Sequence, residues 1–214
     1  MTVATIGQVP NPYLEELTQA GFKPNDKGLH RGLFSDFSNM RSYERRHELV
    51  AKYSWAIPNQ EAIDALVQHS PIVELGAGTG YWASLVAAAG GEIVCFDNRT
   101  FPGKEEGVWL YQDQPSYYPV AEGDESVLSA YPQHSLLLCW PNYHSSFASD
   151  ALKAFQGQTV LFIGENEGGC TGDQAFFDLL DAQFEFVESV NIPQYYGIRD
   201  GLMIFRRKQH APIQ

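Results

Sequence analysis

Residues 74–81 read Glu-Leu-Gly-Ala-Gly-Thr-Gly-Tyr and combine one acidic side chain with three glycines at alternate positions. An apolar run that indicates a short buried strand precedes them, and an apolar segment that indicates a helix follows. Glycines in such a turn allow a ligand to approach the backbone closely, and the first turn of the helix adds N–H groups that lack intrahelical partners. We therefore predict a ligand cradle with backbone contacts from Gly76, Ala77, Gly78 and Gly80.

The spacing of the glycines distinguishes this cradle from a dinucleotide-binding turn. A dinucleotide fingerprint has the pattern G-x-G-x-x-G, whereas Gly80 comes one residue early here and Tyr81 occupies the place of the third glycine. Glu74 ends the predicted strand, where a carboxylate repels a pyrophosphate and attracts an ammonium or sulfonium group. A chance glycine turn in another α/β protein is the alternative interpretation.

The pattern E-x-G-x-G-x-G after a strand resembles motif I of the class I S-adenosylmethionine-dependent methyltransferases. The resemblance implies that S-adenosylmethionine is the cofactor, with the glycine turn close to its methionine part, Tyr81 beside the turn and Glu74 nearby. It also implies an α/β fold with a Rossmann-like seven-stranded mixed sheet, an antiparallel last strand and helices on both faces. Residues 71–214 are then the cofactor-binding domain, and residues 1–70 are a helical N-terminal extension or cap.

Three further positions resemble cofactor contacts of this family. Asp97 ends a second predicted strand about twenty residues after the glycine turn, where an acidic side chain accepts hydrogen bonds from ribose hydroxyls, and Asn98 follows it. Asp124 resembles the acid that follows the third strand, near the adenine amino group. Trp140 ends the fourth predicted strand. For Asp97 and Asp124, a role in stabilising a local turn is the alternative.

Segments that precede motif I often fold over the cofactor and substrate in these methyltransferases. By that resemblance Tyr53, Trp55 and Asn59 are candidates to line the site. Core packing is the alternative for the two aromatic side chains.

Methyl transfer is an in-line displacement at a carbon bound to sulfonium, so the protein contributes binding, alignment and, for some acceptors, a base. We consider Tyr143, His144, Glu165 and Asp173 for that base, because each follows a predicted strand that faces the cofactor. No two of them stand in a diagnostic spacing, and an exposed loop position is the alternative for each. The segment Trp140 to Tyr143 partly matches the N-P-P-Y loop of methyltransferases that modify amino groups. Trp140 stands in place of the side-chain amide that accepts a hydrogen bond from the target amine, and Asn142 replaces the second proline, so an amine acceptor does not follow from this resemblance.

Composition limits the partners and the compartment. The 214 residues include 26 acidic and 14 basic side chains, a formal net charge of −12, which argues against a nucleic-acid partner because phosphates require lysine and arginine. The three cysteines form no C-x-x-C pair and indicate a reducing compartment. We find no signal peptide, no apolar run long enough for a membrane span and no metal-ligand pattern. We therefore predict a cytoplasmic protein without a membrane partner or metal; the oligomeric state is left open.

The elements that position these residues follow from hydrophobic periodicity and from capping residues. Helices are predicted at residues 12–20, 38–51, 60–68, 81–89, 146–155 and 174–180. Strands are predicted at residues 71–75, 92–97, 117–122, 134–140, 159–164, 184–190 and 201–207.

The leading interpretation is an S-adenosylmethionine-dependent methyltransferase that acts on a small molecule. One alternative is a protein that binds the cofactor without transferring its methyl group. Another is a protein methyltransferase. A nicotinamide oxidoreductase is disfavoured by Glu74 and by Tyr81 in the place of a glycine.

Overall fold

The computed structural model describes residues 8–20, 22, 40–99 and 113–209, and every element below lies within these ranges. The described residues form six α-helices, seven strands and one 3₁₀ helix at Glu125–Ala130. In chain order the elements are α1 (Pro12–Gln19), α2 (Met40–Lys52), α3 (Gln60–Gln68), β1 (Ile72–Leu75), α4 (Tyr81–Ala88), β2 (Ile93–Asp97), β3 (Ala121–Glu122), β4 (Ser135–Cys139), α5 (Phe147–Ala154), β5 (Thr159–Gly164), α6 (Gln174–Gln183), β6 (Phe184–Asn191) and β7 (Gly201–Arg207).

The strands form one mixed sheet in the order β3-β2-β1-β4-β5-β7-β6. Strands β1 to β5 pair in parallel, whereas β7 is antiparallel to both β5 and β6. The central strands are largely apolar because both faces of the sheet are covered, as in Leu136–Leu138 of β4. The predicted Rossmann-like sheet with an antiparallel last strand is confirmed.

Helices cover both faces of the sheet, as predicted. On one face, α3 and α4 bury Ile72, Trp82 and Leu137 in a common apolar cluster. On the other, α5 and α6 pack Leu152 and Phe176 against the opposite side of the same strands. Burial of each large apolar side chain stabilises the fold by about 1.5–3 kcal/mol relative to exposure, so the two clusters fix the sheet between its helices.

Side chains at the predicted starts of two helices form the expected caps. Asn11 accepts a hydrogen bond from the N–H of Leu14 at the start of α1, and Asn59 accepts one from the N–H of Ala62 at the start of α3. The third strand differs from the prediction, since only Ala121 and Glu122 pair with β2. The residues before β3 pack instead on the glycine turn, where the Tyr117 N–H donates to the carbonyl of Thr79.

The N-terminal helices pack on the rest of the chain through aromatic side chains. Tyr13 of α1 stacks on Tyr53 with ring centroids 4.8 Å apart, and its hydroxyl lies 2.6 Å from that of Tyr195. Glu16 binds Lys52 at 2.9 Å and also pairs with Arg45. The division of the chain at residue 70 stays a prediction. No helix in the described part of the chain is long and apolar enough to cross a membrane.

Candidate functional site

A cavity of about 330 Å³ opens at the carboxyl ends of β1, β2 and β4. This edge of an open parallel sheet is the usual ligand site of doubly wound α/β folds. Its described lining consists of Tyr53, Ser54, Trp55, Glu74, Gly76, Ala77, Gly78, Thr79, Tyr81, Trp82, Asp97, Asn98, Glu125, Cys139, Trp140, Pro141, Asn142, Ser145, Ser146, Phe147 and Asp150. Eight of the ten predicted cofactor residues are in this set; Gly80 and Asp124 are not.

The glycine turn after β1 requires glycine at two positions for steric reasons. Gly76 has φ +75°, and a Cβ atom there would lie 2.9 Å from Cζ of Phe147. Gly80 has φ +72°, and a Cβ atom there would lie 3.0 Å from Cβ of Tyr118. Gly76 therefore brings backbone to the cavity wall, whereas Gly80 lets residues 117–120 close over the turn from outside the cavity.

The N–H groups of the turn bond within the protein, which differs from the predicted donation to a ligand. Those of Gly76 and Ala77 donate to the carbonyl of Phe96 at 2.8 and 3.1 Å, and that of Gly80 donates to the carbonyl of Ala77 at 2.8 Å. These bonds tie the turn to β2 and to itself. These three N–H groups are therefore already bonded within the protein, and Gly76 and Ala77 offer a ligand close van der Waals contact with backbone.

Asp97 joins the end of β2 to the same turn. Its Oδ2 accepts a hydrogen bond of 2.9 Å from the N–H of Gly78, and its Oδ1 accepts one of 2.6 Å from the N–H of Arg99. The side chain also lines the cavity beside Asn98. Asp97 therefore both stabilises the turn and lines the cavity.

Glu74 is 2% exposed and lines the cavity at the end of β1. The Cys95 thiol donates to its Oε2 over 3.6 Å. Burial raises the pKa of the Glu74 carboxyl to about 8, the Asp97 carboxylate acts in the same direction, and the Cys95 contact lowers it. The carboxyl is thus mainly protonated at neutral pH, and a cation placed beside it would favour the ionised form.

Trp140 forms a wall of the cavity at the end of β4. Its backbone has φ +52°, and its N–H donates to the carbonyl of Ile163 at 2.8 Å. Its indole N–H donates to Oδ2 of Asp200 at 2.9 Å, and its ring stacks on Trp55 with centroids 5.5 Å apart and planes 15° from parallel. A left-handed backbone at a residue other than glycine is uncommon and persists where the surroundings hold it, as these contacts do.

The structure brings Tyr53 and Trp55 to the cavity but leaves Asn59 at the start of α3, where its Nδ2 donates to the carbonyl of Asn191. The hydroxyl of Tyr81 is also bonded within the protein. It donates to Oδ1 of Asn11 at 2.8 Å and accepts from the N–H of Tyr13 at 3.0 Å. Tyr81 therefore links the glycine turn to α1.

The four residues considered for a base lie outside the cavity lining. Tyr143 is 46% exposed and its ring packs against His144, with centroids 3.8 Å apart. Glu165 accepts backbone N–H groups from Cys170 at 2.9 Å and from Arg199 at 2.7 Å, which fixes two loops. The carboxylate of Asp173 accepts the N–H of Ser149 at 3.2 Å, near the start of α6.

Asp124 lies at the start of the 3₁₀ helix rather than in the cavity. Its side chain is exposed and accepts hydrogen bonds from the N–H and hydroxyl groups of Ser126. The local-turn alternative therefore describes its contacts, and the next residue, Glu125, lines the cavity. A shift of one residue in a helical turn points consecutive side chains in different directions, which the sequence pattern does not reveal.

No sequence pattern identified several of the lining residues individually. The chain turns sharply after β4 and leads into α5, and this turn brings six residues to the cavity: Pro141, Asn142, Ser145, Ser146, Phe147 and Asp150. Their general location, after the fourth parallel strand, was predictable; the individual contacts depend on this turn. No group of three or more histidine, cysteine, aspartate or glutamate side chains within the described ranges is placed to hold a metal ion.

Solved structures with a similar fold include S-adenosylmethionine-dependent methyltransferases. Magnesium protoporphyrin IX methyltransferase from Synechocystis, with bound S-adenosylmethionine, aligns with a TM-score of 0.50 over 79% of this chain and 85% of that chain, at 11% identity. The pyocyanin biosynthetic protein PhzM aligns with a TM-score of 0.45 over 92% and 68% of the two chains, at 16% identity. No protein-family model and no curated protein sequence matches the chain. The chain thus has the fold of the class I methyltransferases.

Proposed function

We propose that the protein is an S-adenosylmethionine-dependent methyltransferase that acts on a small molecule. The observation that carries the proposal is that Glu74, the glycine turn and Asp97 line one cavity at the carboxyl ends of β1 and β2. These are the residues of the motif I resemblance and the acidic residue that ends the second strand, and they meet in the fold of the class I methyltransferases.

The residues of this cavity fit the cofactor by their chemistry. Asp97 and Asn98 offer acceptors to ribose hydroxyls, and Gly76 leaves space that a Cβ atom would fill. Glu74 is a buried carboxyl, so a positively charged group is the ligand that favours its ionised form. When bound, the cofactor supplies an electrophilic methyl group on sulfonium; the protein binds, orients and excludes water.

The cavity favours a small acceptor without a dedicated base. About 330 Å³ is within the range for small-molecule sites. No histidine or lysine occurs among the described lining residues, the residues considered for a base lie elsewhere, and of the lining carboxyl groups Glu74 and Asp97 are assigned to the cofactor and Asp150 pairs with Lys153. An acceptor with an available lone pair therefore fits this site best.

Calorimetric titration with S-adenosylmethionine and S-adenosylhomocysteine tests the cofactor assignment, on the native chain and on Asp97→Ala. We expect micromolar binding of both ligands to the native chain and at least about tenfold weaker binding to the variant, the equivalent of about 1.4 kcal/mol. NADH serves as the negative ligand. A folded native chain that binds neither cofactor form would overturn the proposal.

Transfer is then tested with methyl-labelled cofactor and a metabolite extract divided by size. Label in the small-molecule fraction supports the proposal, and label only in the protein fraction supports the protein methyltransferase instead. Cofactor binding without label in either fraction supports a protein that binds the cofactor without methyl transfer.

A further inference from the structure

The wall made by Trp55 and Trp140 lies at the opposite end of the cavity from Asp97. Asp97 ends β2 and Trp140 follows β4, with β1 between them in the sheet. Neighbouring strands are about 4.8 Å apart, so the two positions are separated by about 10 Å along the sheet edge. A cofactor whose ribose lies at Asp97 and whose methionine part lies at the glycine turn after β1 has its reacting end directed toward the Trp140 wall.

This wall is held in one orientation. The left-handed backbone of Trp140 is fixed by its hydrogen bond to Ile163, and the indole is fixed by Asp200 and by the stacked ring of Trp55. Both indoles are partly exposed and line the cavity. A bound molecule therefore meets aromatic surface that needs no rearrangement.

The electrostatics of the wall favour positive charge. Asp200 is 4% exposed and places its carboxylate on the N–H edge of the Trp140 indole, with Glu165 and Arg46 as its other charged neighbours. A hydrogen-bond acceptor at the N–H edge of an indole increases the electron density over the ring face, and this face attracts cations.

The side chains that line the rest of the cavity also favour positive charge. Among the described lining residues, Asp97, Glu125 and Asp150 are acidic, the buried carboxyl of Glu74 ionises when a cation lies beside it, and none is basic. Lys153 pairs with Asp150 at 2.8 Å, outside the lining. An acceptor that bears a carboxylate or phosphate meets no basic side chain among these residues.

We propose, on the premise of the function given above, that the methyl acceptor is an amine whose nitrogen lies against the Trp55–Trp140 wall. The nitrogen lone pair forms the new bond to the methyl carbon as the bond from that carbon to sulfur breaks, and the electron pair of that bond passes to sulfur. The positive charge thereby moves from sulfur to nitrogen. A tertiary amine becomes a quaternary ammonium without loss of a proton, and a primary or secondary amine loses one proton to solvent. The wall stabilises the charge that develops on nitrogen.

Choline and its neutral isostere 3,3-dimethylbutan-1-ol test this wall directly, since they have the same shape and differ in charge. Each is titrated calorimetrically into protein saturated with S-adenosylhomocysteine, together with the anion 3,3-dimethylbutanoate. We expect choline to bind at least about fivefold more tightly than the alcohol, with the anion weakest. Trp140→Leu should abolish this preference. The titrations are made at about pH 8.5, where the carboxyl of Asp200, whose pKa burial raises to about 7, is ionised. Asp200→Asn keeps an acceptor for the indole N–H but removes the charge, so it should reduce the preference.

Phe186→Leu, which changes an exposed aromatic residue on β6, is the matched control and should leave the preference unchanged. Absence of choline binding to the loaded native protein, equal binding of choline and the alcohol, or an unchanged preference in Asp200→Asn would each overturn the inference alone. If Trp140→Leu fails to fold, Asp200→Asn decides the outcome. Failure of the native chain to bind S-adenosylhomocysteine counts instead against the proposed function.

Discussion

The carboxylate of Asp97 accepts a hydrogen bond of 2.9 Å from the backbone N–H of Gly78. The bond joins the end of β2 to the middle of the turn that follows β1, so one side chain both supports the turn and lines the cavity. A substitution at Asp97 therefore changes ligand contacts and turn geometry together, and a pair of variants is needed to separate these effects.

Asp97→Ala and Asp97→Asn form that pair. Asparagine keeps an oxygen acceptor for the Gly78 N–H, whereas alanine leaves two backbone donors without this partner. We expect Asp97→Ala to lower the free energy of unfolding by about 1–3 kcal/mol and Asp97→Asn to lower it less. Affinity for S-adenosylhomocysteine should fall in the order native, Asn, Ala. Denaturant unfolding and calorimetry measure the two quantities, and native-like affinity in Asp97→Ala would contradict the cofactor role.

A comparison of Gly76→Ala with Gly90→Ala separates the effect of an added Cβ atom at the cavity from the effect of backbone strain. Both glycines have left-handed φ values, +75° and +90°, so alanine at either position costs about 1–2 kcal/mol of stability. Only at Gly76 does the added Cβ atom meet a neighbour, Cζ of Phe147 at 2.9 Å; at Gly90 it meets no described atom within 4 Å. We expect thermal unfolding to show destabilisation in both, and calorimetry to show weaker S-adenosylhomocysteine binding only in Gly76→Ala. Equal affinities would place the turn outside the ligand site.

The elements with local signals were predicted accurately. β5 and β7 span the predicted residues, Thr159–Gly164 and Gly201–Arg207, because each is an apolar run bounded by glycine or by a change in polarity. The third strand was predicted over six residues but pairs over two. Pairing depends on the neighbouring strand, and residues 117–120 are held by the glycine turn instead.

The residues of the candidate site also differ in how well their positions could be predicted from the sequence. The positions of Glu74, Gly76 and Asp97 at the cavity were predictable because they follow from spacing within one strand–turn–helix unit and the strand after it. Tyr143 lies outside the cavity lining, in a turn after β4 that is closed by Asn142, whose Oδ1 accepts the N–H of His144 at 2.7 Å. Such a turn directs consecutive side chains to solvent or to the cavity according to its geometry, which strand position alone does not specify.

Tyr81→Phe tests the link between the glycine turn and α1. The change removes a hydroxyl that bonds Asn11 and the backbone of Tyr13, and it leaves a buried acceptor and a buried donor without this partner. We expect the free energy of unfolding to fall by about 1–3 kcal/mol and amide exchange in α1 to accelerate.

Tyr143→Phe is the control for this variant, since its side chain is exposed. It should leave stability and cofactor affinity unchanged. Unaltered exchange in α1 of Tyr81→Phe would show that the helix is held by its other contacts, such as those of Glu16.

Glu74→Gln should stabilise the protein increasingly as the pH rises. The native carboxyl has a pKa of about 8 against an ordinary value of 4.5, so the folded state retains a proton that the unfolded state releases between these values. Native stability from this group is therefore full below about pH 4.5 and lost as the pH rises to 8, whereas glutamine does not titrate. The stability difference should reach on the order of 4 kcal/mol at pH 8. Asp200, whose pKa is raised to about 7, is present in both proteins and cancels in the comparison.

Because the pKa of Glu74 is raised by burial, we expect cofactor binding to release a proton near pH 7. A sulfonium or ammonium group beside Glu74 lowers its pKa toward the ordinary value, and the proton passes to the buffer. The calorimetric enthalpy of S-adenosylmethionine binding to the native chain should then differ between phosphate and Tris, whose ionisation enthalpies differ. In Glu74→Gln this dependence should vanish and affinity should fall about tenfold or more, because the cation loses its buried partner. Equal buffer dependence in both proteins would assign the released proton to another group and remove Glu74 from the cation site.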